Sequence, residues 1–207
     1  MRVNVAAAVR LMLVTDDRFL PEDRLMNAVA AAVEGGVTSV QLRLKTVSAR
    51  ELLRIARLMV NHLPVPVIIN DRPDVARAAH AAGVHLGPGD LSVALTRRAW
   101  PEALIVGASV GLAAEIGAGD GADYWGVGPW HATGTKFDAG AAIGSEGFRA
   151  IVVRAAGKPC IAIGGIRPAD VPAVLEVGGA GIAVVSGILG ADNVTLAARA
   201  YARQLKS

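Results

Sequence analysis

Eight short β-branched runs, each followed by a turn and an Ala/Leu/Arg-rich helical pattern, predict an α/β chain folded as a (β/α)8 TIM barrel. Strict alternation of strand and helix implies a parallel sheet with right-handed crossovers. Eight such units close naturally on themselves, and 207 residues lie near the lower end of what a barrel needs. An open doubly wound sheet is the competing arrangement. It would place a Gly-rich turn after the first strand, where this chain reads "VTDDRF". We therefore expect a single barrel domain over residues 1–207.

The predicted strands are 11–15, 37–43, 66–70, 83–86, 103–108, 122–127, 159–163 and 181–185. Helical patterns follow at 22–34, 48–62, 73–81, 92–99, 111–118, 145–156, 168–177 and 193–205. Ser48 and Glu51 have capping-box spacing, while Pro73 and Pro168 suit the first turn of a helix. The N-terminal "MRVNVAAAVRLMLVT" is broken by Asn4 and Arg10, so it reads as the lead-in to strand one rather than a secretory signal.

Composition narrows the classes of function. Hydrophobic residues reach 53%, yet no apolar run approaches the roughly 18–20 residues of a membrane span. The net charge of +3 comes without a basic run or interleaved aromatics, which argues against nucleic acid and suits small anionic substrates. A lone cysteine, Cys160, lies within an apolar run; it permits no internal disulfide and points to a reducing cytoplasm. A homo-oligomer stays open.

In a barrel, chemistry belongs at the C-terminal ends of the strands. Strand two ends "QLRLK". Its period of two puts Gln41, Arg43 and Lys45 on one face, and Leu42 and Leu44 on the other, against the helices. Arginine offers a planar fork to phosphate and lysine a mobile point charge. A solvated strand end is the plain alternative, but three inward polar groups are costly without a ligand. Strand three ends "IIND" and strand four runs into "HLGPGD", so Asn70, Asp71 and Asp90 fall at neighbouring strand ends. Two close carboxylates invite a hard cation such as Mg2+, which takes one or two carboxylates together with substrate phosphates. Such a site would hold a diphosphate with arginine and lysine on one side and metal on the other.

Ser109 ends strand five and can offer a hydroxyl to a phosphate. The long segment after strand six, "GVGPWHATGTKFDAGAAIG", contains Thr133, Gly134, Thr135 and Lys136 and has the length of a binding loop. Two of the four lysines, Lys45 and Lys136, thus fall at active-face positions. Strands seven and eight end "IGGI" and "VVSGI", where Gly164, Gly165 and Ser186 suit a second, monophosphate site. His62 and His80 read as surface residues, His85 as a structural hydrogen-bonding residue, and His131 as a loop residue within reach of substrate. Neither a zinc-type cluster nor a nucleophile–His–acid set is apparent.

Taken in order, "LVTD", "GGVTSVQLRLK", "IINDRPDVA", "GVHLGPGDL", "GAS", "GVGP", "TGTK", "IAIGGI" and "VVSGI" resemble the thiamine-phosphate synthase (thiamine monophosphate pyrophosphorylase) family along nearly the whole chain. The resemblance implies a (β/α)8 barrel that transfers a pyrimidine from its diphosphate to a thiazole phosphate. It implies that Gln41, Arg43, Lys45, Asn70, Ser109 and Lys136 hold the pyrimidine diphosphate, with Arg43, Lys45 and Lys136 acting on the leaving group. It also implies that Asp71 and Asp90 bind Mg2+, and that Thr133, Thr135, Gly165, Val185 and Ser186 contact the thiazole phosphate. Leu42, Leu44 and Gly134 fall inside the matching substrate-binding runs. The implied mechanism is dissociative, with diphosphate leaving before the thiazole nitrogen attacks. Departures from the family pattern stand at Leu44, at Pro88-Gly89 and at His131-Ala132. The sister thiazole tautomerase uses a histidine shortly after the strand-five serine, where this chain reads "ASVGLAAE". That tautomerase and a non-catalytic phosphate-binding barrel are the alternative readings.

Overall fold

The eight predicted strands pair in sequence order into one closed parallel barrel, each bonded to the next and the last to the first. They are β1 (Leu11–Val14), β2 (Ser39–Leu42), β3 (Val67–Asn70), β4 (Gly83–Leu86), β5 (Ile105–Ser109), β6 (Tyr124–Val127), β7 (Cys160–Ile163) and β8 (Gly181–Val184). This computed structural model describes residues 4–19, 22–101, 104–111, 113–132 and 140–206. Around the barrel lie α1 (Val5–Ala8), α2 (Glu22–Glu34), α3 (Ala49–His62), α4 (Pro73–Ala78), α5 (Val93–Ala99), α6 (Gly144–Arg154), α7 (Val171–Glu176), α8 (Ser186–Leu189) and α9 (Val194–Gln204).

The period of two in each strand divides the apolar side chains into two bodies. Leu11, Leu13, Leu42, Ile69, Val84 and Val127 point outward and pack with helix residues such as Leu25, Ile55, Met59 and Ala198. Met12, Val14, Ile68, Ile105, Tyr124, Ile161 and Ala183 point inward and fill the barrel. Each fully buried large side chain contributes about 1.5–3 kcal/mol, so the two bodies together dominate stability.

Two large rings inside the barrel are seated on glycines. Tyr124 pairs with Gly107 across β5 and β6, and a Cβ on Gly107 would collide with the tyrosine ring. His85 lies over Gly126, where a Cβ would stand 3.1 Å from His85 Cε1. Both glycines thus exchange side-chain volume for a polar ring at the centre of the barrel.

Several local features differ from the sequence reading. The N-terminal stretch is not simply a lead-in to β1: Asn4 Oδ1 accepts from the Ala7 amide, 3.2 Å, and caps the single turn α1. Val5 and Val9 then pack against the barrel interior and close its lower end. Residues 113–119 form a 3-10 segment where an α-helix is expected, and Gly117 and Gly119 within it explain the weakened helix. The pattern at 168–177 splits into a 3-10 turn, Pro168–Asp170, followed by α7. Ser48 caps α3 as expected by accepting from the Glu51 amide at 3.2 Å, while the Glu51 carboxylate pairs with Arg54. Helix α8, directly after β8, has no counterpart in the sequence reading.

Candidate active site

The mouth of the barrel is built outward from β2. Gln41 is buried, Arg43 half-buried and Lys45 exposed, so the polar trio climbs from the interior to solvent. Leu42 and Leu44 are buried in the barrel–helix core, on the other face of the strand. Their side chains do not face the mouth.

The segment after β1 fixes this strand end. Thr15 Oγ1 accepts from the Arg43 amide at 2.8 Å and donates to the Arg43 carbonyl at 3.1 Å. Asp17 accepts from the amides of Lys45, 3.0 Å, and Thr46, 3.1 Å, and from the Thr46 hydroxyl, 2.9 Å. Burial alone would raise the Asp17 pKa, but these donors outweigh it and hold the carboxyl below its ordinary value of 3.8. A depressed carboxylate pKa gives stability that is present above pH 3.8 and lost as pH falls through the folded value. Asp17→Asn is therefore expected to lower the Tm at pH 7 and to lose less Tm than wild type between pH 5 and pH 3, as read by thermal melts. Sequence reasoning missed both Thr15 and Asp17; their signal was the polar "TDD" directly after an apolar strand.

The two aspartates stand beside the trio, at the neighbouring strand ends where the sequence puts them. Because β3 pairs with β2, Lys45 Nζ comes within 3.3 Å of Asp71 Oδ2. Asp71 has a left-handed backbone, φ 63°, a region that aspartate tolerates better than most residues. Its amide donates to the His85 carbonyl of β4 at 2.8 Å, which fixes that conformation. Asp90 closes a turn by accepting from the Gly87 amide at 2.7 Å. Burial first, then the neighbouring carboxyl of Asp71 and its charge, raise the Asp90 pKa. Two neighbouring carboxylates, one reluctant to ionise, fit a hard cation that completes its shell with substrate phosphates. Among the described residues no group of three or more His, Cys, Asp or Glu could hold a metal ion.

Asn70 ends β3, half-buried beside Asp71, and Ser109 ends β5. His85 forms hydrogen bonds within the barrel as expected: its ring lies 3.0 Å from Tyr124 OH through Nδ1 and 3.0 Å from Ser109 Oγ through Nε2. His62 and His80 are exposed, as expected. His131 Nε2 contacts Asp170 Oδ2 at 3.0 Å, a pairing that sequence reading did not anticipate. The Cys160 thiol is buried and pushed up to about 11 by that burial, so it is not a nucleophile at neutral pH.

The end of β7 has a packing reason of its own. Gly164 and Gly165 have φ values of 94° and 67°. The segment after β6 lies directly on them: Trp130 N donates to Ile163 O, 2.8 Å, and His131 N to Gly164 O, 2.9 Å. A Cβ on Gly164 would stand 2.7 Å from Pro129 Cβ, and one on Gly165 would stand 2.9 Å from His131 Cβ. Backbone conformation and close approach therefore account for both glycines before any ligand is considered. Val185 flanks the interior core and Ser186 is the exposed first residue of α8. Thr133, Gly134, Thr135 and Lys136 lie outside the described residues.

Comparison with known proteins agrees with this geometry. The family described as Thiamine monophosphate synthase matches residues 11–188. The chain is 47% identical to the thiamine-phosphate synthase of Azorhizobium caulinodans, over 91% of each protein. It is 48% identical to that of Xanthobacter autotrophicus, over 92% of each. Among solved structures it resembles a thiamine phosphate pyrophosphorylase from Pyrococcus furiosus, with TM-score 0.86 and 36% identity over 98% of both chains. A 3-hexulose-6-phosphate synthase, TM-score 0.72 at 18% identity, shares the fold alone. With a family match across most of its length and relatives near half identity, the chain belongs to the thiamine monophosphate synthase family.

Proposed function

We propose that this chain is a thiamine-phosphate synthase joining 4-amino-2-methyl-5-(diphosphomethyl)pyrimidine to 4-methyl-5-(2-phosphoethyl)thiazole, or its carboxylated form, with release of diphosphate and, from the carboxylated form, of carbon dioxide. The observation that carries the reading is the charge cluster at the mouth, where Lys45 lies 3.3 Å from Asp71 and the charge of Asp71 helps to raise the pKa of Asp90. In this reaction the bond from the pyrimidine methylene carbon to the diphosphate oxygen breaks, and its electron pair leaves with the diphosphate. A bond from the thiazole nitrogen to the same carbon then forms. The protein needs no nucleophile for this, only positive charge where negative charge grows.

Arg43, Lys45 and Lys136 are the groups we assign to the leaving diphosphate, and Gln41, Asn70 and Ser109 hold the rest of the pyrimidine substrate. Asp71 and Asp90 are assigned to Mg2+, which when bound supplies further positive charge to the diphosphate oxygens. Thr133, Thr135, Gly165, Val185 and Ser186 are assigned to the thiazole phosphate. The reaction is placed in the cytoplasm, in keeping with the single buried cysteine; no described helix is long and apolar enough to cross a membrane.

The thiazole substrate offered alone separates the synthase from the tautomerase reading. Without the pyrimidine diphosphate, the carboxylated thiazole phosphate is expected to keep its double-bond position, followed by proton NMR. Isomerisation at a rate comparable to coupling would assign the site to a tautomerase instead. Tight phosphate binding with neither reaction would favour a regulatory barrel.

A further inference from the structure

The barrel interior holds a line of polar side chains beneath the mouth that the roles assigned so far do not explain. Tyr124 is completely buried, and burial keeps its phenol neutral by raising its pKa far above neutrality. A buried hydroxyl must place its proton on an acceptor. The nearby Gln41 Nε2 donates to Met12 Sδ at 3.5 Å. The acceptor beside Tyr124 is His85 Nδ1, 3.0 Å away. A neutral imidazole that accepts at Nδ1 carries its proton on Nε2. That proton points at Ser109 Oγ, 3.0 Å away. Ser109 then accepts from His85, and its own hydroxyl proton is directed elsewhere. Ser109 lies at the end of β5, so that direction opens toward the mouth.

We infer that Tyr124 is a positioning residue that, through His85, sets Ser109 as a hydrogen-bond donor toward substrate, so that the ligand atom at Ser109 is a lone-pair acceptor of the pyrimidine diphosphate. The inference rests on the coupling reaction proposed above for the identity of that ligand. Gly107 and Gly126 serve the same arrangement, since a Cβ at either position would press on the tyrosine or the histidine ring. With the reverse polarity, His85 would donate to Tyr124, and Ser109 would give its proton to His85 and present only lone pairs. Such a serine would face a lone-pair acceptor of the substrate with no proton to donate to it.

The two polarities differ in an observable that needs no turnover. In wild-type protein with 15N-labelled histidine at pH 8, long-range 1H–15N NMR is expected to show His85 protonated at Nε2 and bare at Nδ1. The signal is assigned by its loss in His85→Gln. Protonation at Nδ1 in wild type would overturn the inference. Tyr124→Phe keeps the ring over Gly107 and removes only the donor; it is expected to move His85 toward the Nδ1–H tautomer. An unchanged tautomer would contradict the role given to Tyr124. Calorimetry with the pyrimidine diphosphate and Mg2+ supplies the second arm. Tyr124→Phe and Ser109→Ala are each expected to weaken binding about tenfold, and the double variant no further, because both remove the same hydrogen bond. Additive losses of about a hundredfold would mark Tyr124 as a packing residue only. The expected tautomer in an enzyme that fails to couple would count against the proposed reaction and not against the hydrogen-bond chain.

Discussion

Asp90→Asn is expected to lower coupling activity by about a hundred- to a thousandfold while leaving the Tm at pH 7 unchanged or raised. Loss of a charged metal ligand removes electrostatic stabilisation of the departing diphosphate, a contribution of several kcal/mol at about 1.4 kcal/mol per tenfold. Stability should move the other way. Burial and the Asp71 carboxyl raise the Asp90 pKa, so the folded protein prefers the protonated acid. That preference contributes stability below the ordinary value of 3.8 and loses it as pH rises through the raised folded value. At neutral pH the ionised Asp90 therefore costs stability, and a neutral asparagine of the same shape removes the cost. Thermal melts at pH 7 beside a coupling assay check both halves. A variant that loses activity because it unfolds would show a fall in Tm and would identify Asp90 as structural.

Lys136→Ala is expected to lower kcat by about a hundred- to a thousandfold with a much smaller change in KM for the pyrimidine diphosphate. Charge on the diphosphate grows as the bond breaks, so a cation aimed at it acts more strongly in the transition state than in the ground state. The assignment of Lys136 comes from the "TGTK" run that the chain shares with its family. Steady-state kinetics at saturating Mg2+ make the distinction. A rise in KM with unchanged kcat would make Lys136 a ground-state binder.

The barrel was legible in the sequence because its two periodicities are regular. Strand β4 and helix α2 fall at 83–86 and 22–34, where apolar alternation and helical spacing put them. The polarity of "QLRLK" was legible for the same reason: Leu42 and Leu44 joined the helix layer as their spacing required. What sequence reading missed depends on contacts between strands. The spacing of Asp71 and Lys45 in the chain says nothing of their 3.3 Å approach, which follows from β2 lying beside β3. Tyr124 reads as one more apolar residue in "DYWGV", and only the glycine opposite it shows why a tyrosine fits. The "IGGI" pair suggested a phosphate cradle, yet the segment from Pro129 to His131 already demands both glycines. A one-turn helix such as α8 is too short to leave a periodic signal at all.

The central claim is that a metal-assisted diphosphate site at the mouth of this barrel joins a pyrimidine to a thiazole. Its most direct test is to mix the purified protein with both phosphorylated substrates and to follow thiamine phosphate and diphosphate together. Equimolar formation of the two products in Mg2+, abolished by excess chelator and restored by added Mg2+, is the predicted result. Full coupling in excess chelator would contradict the metal assignment, and no thiamine phosphate under any of these conditions would contradict the claim itself.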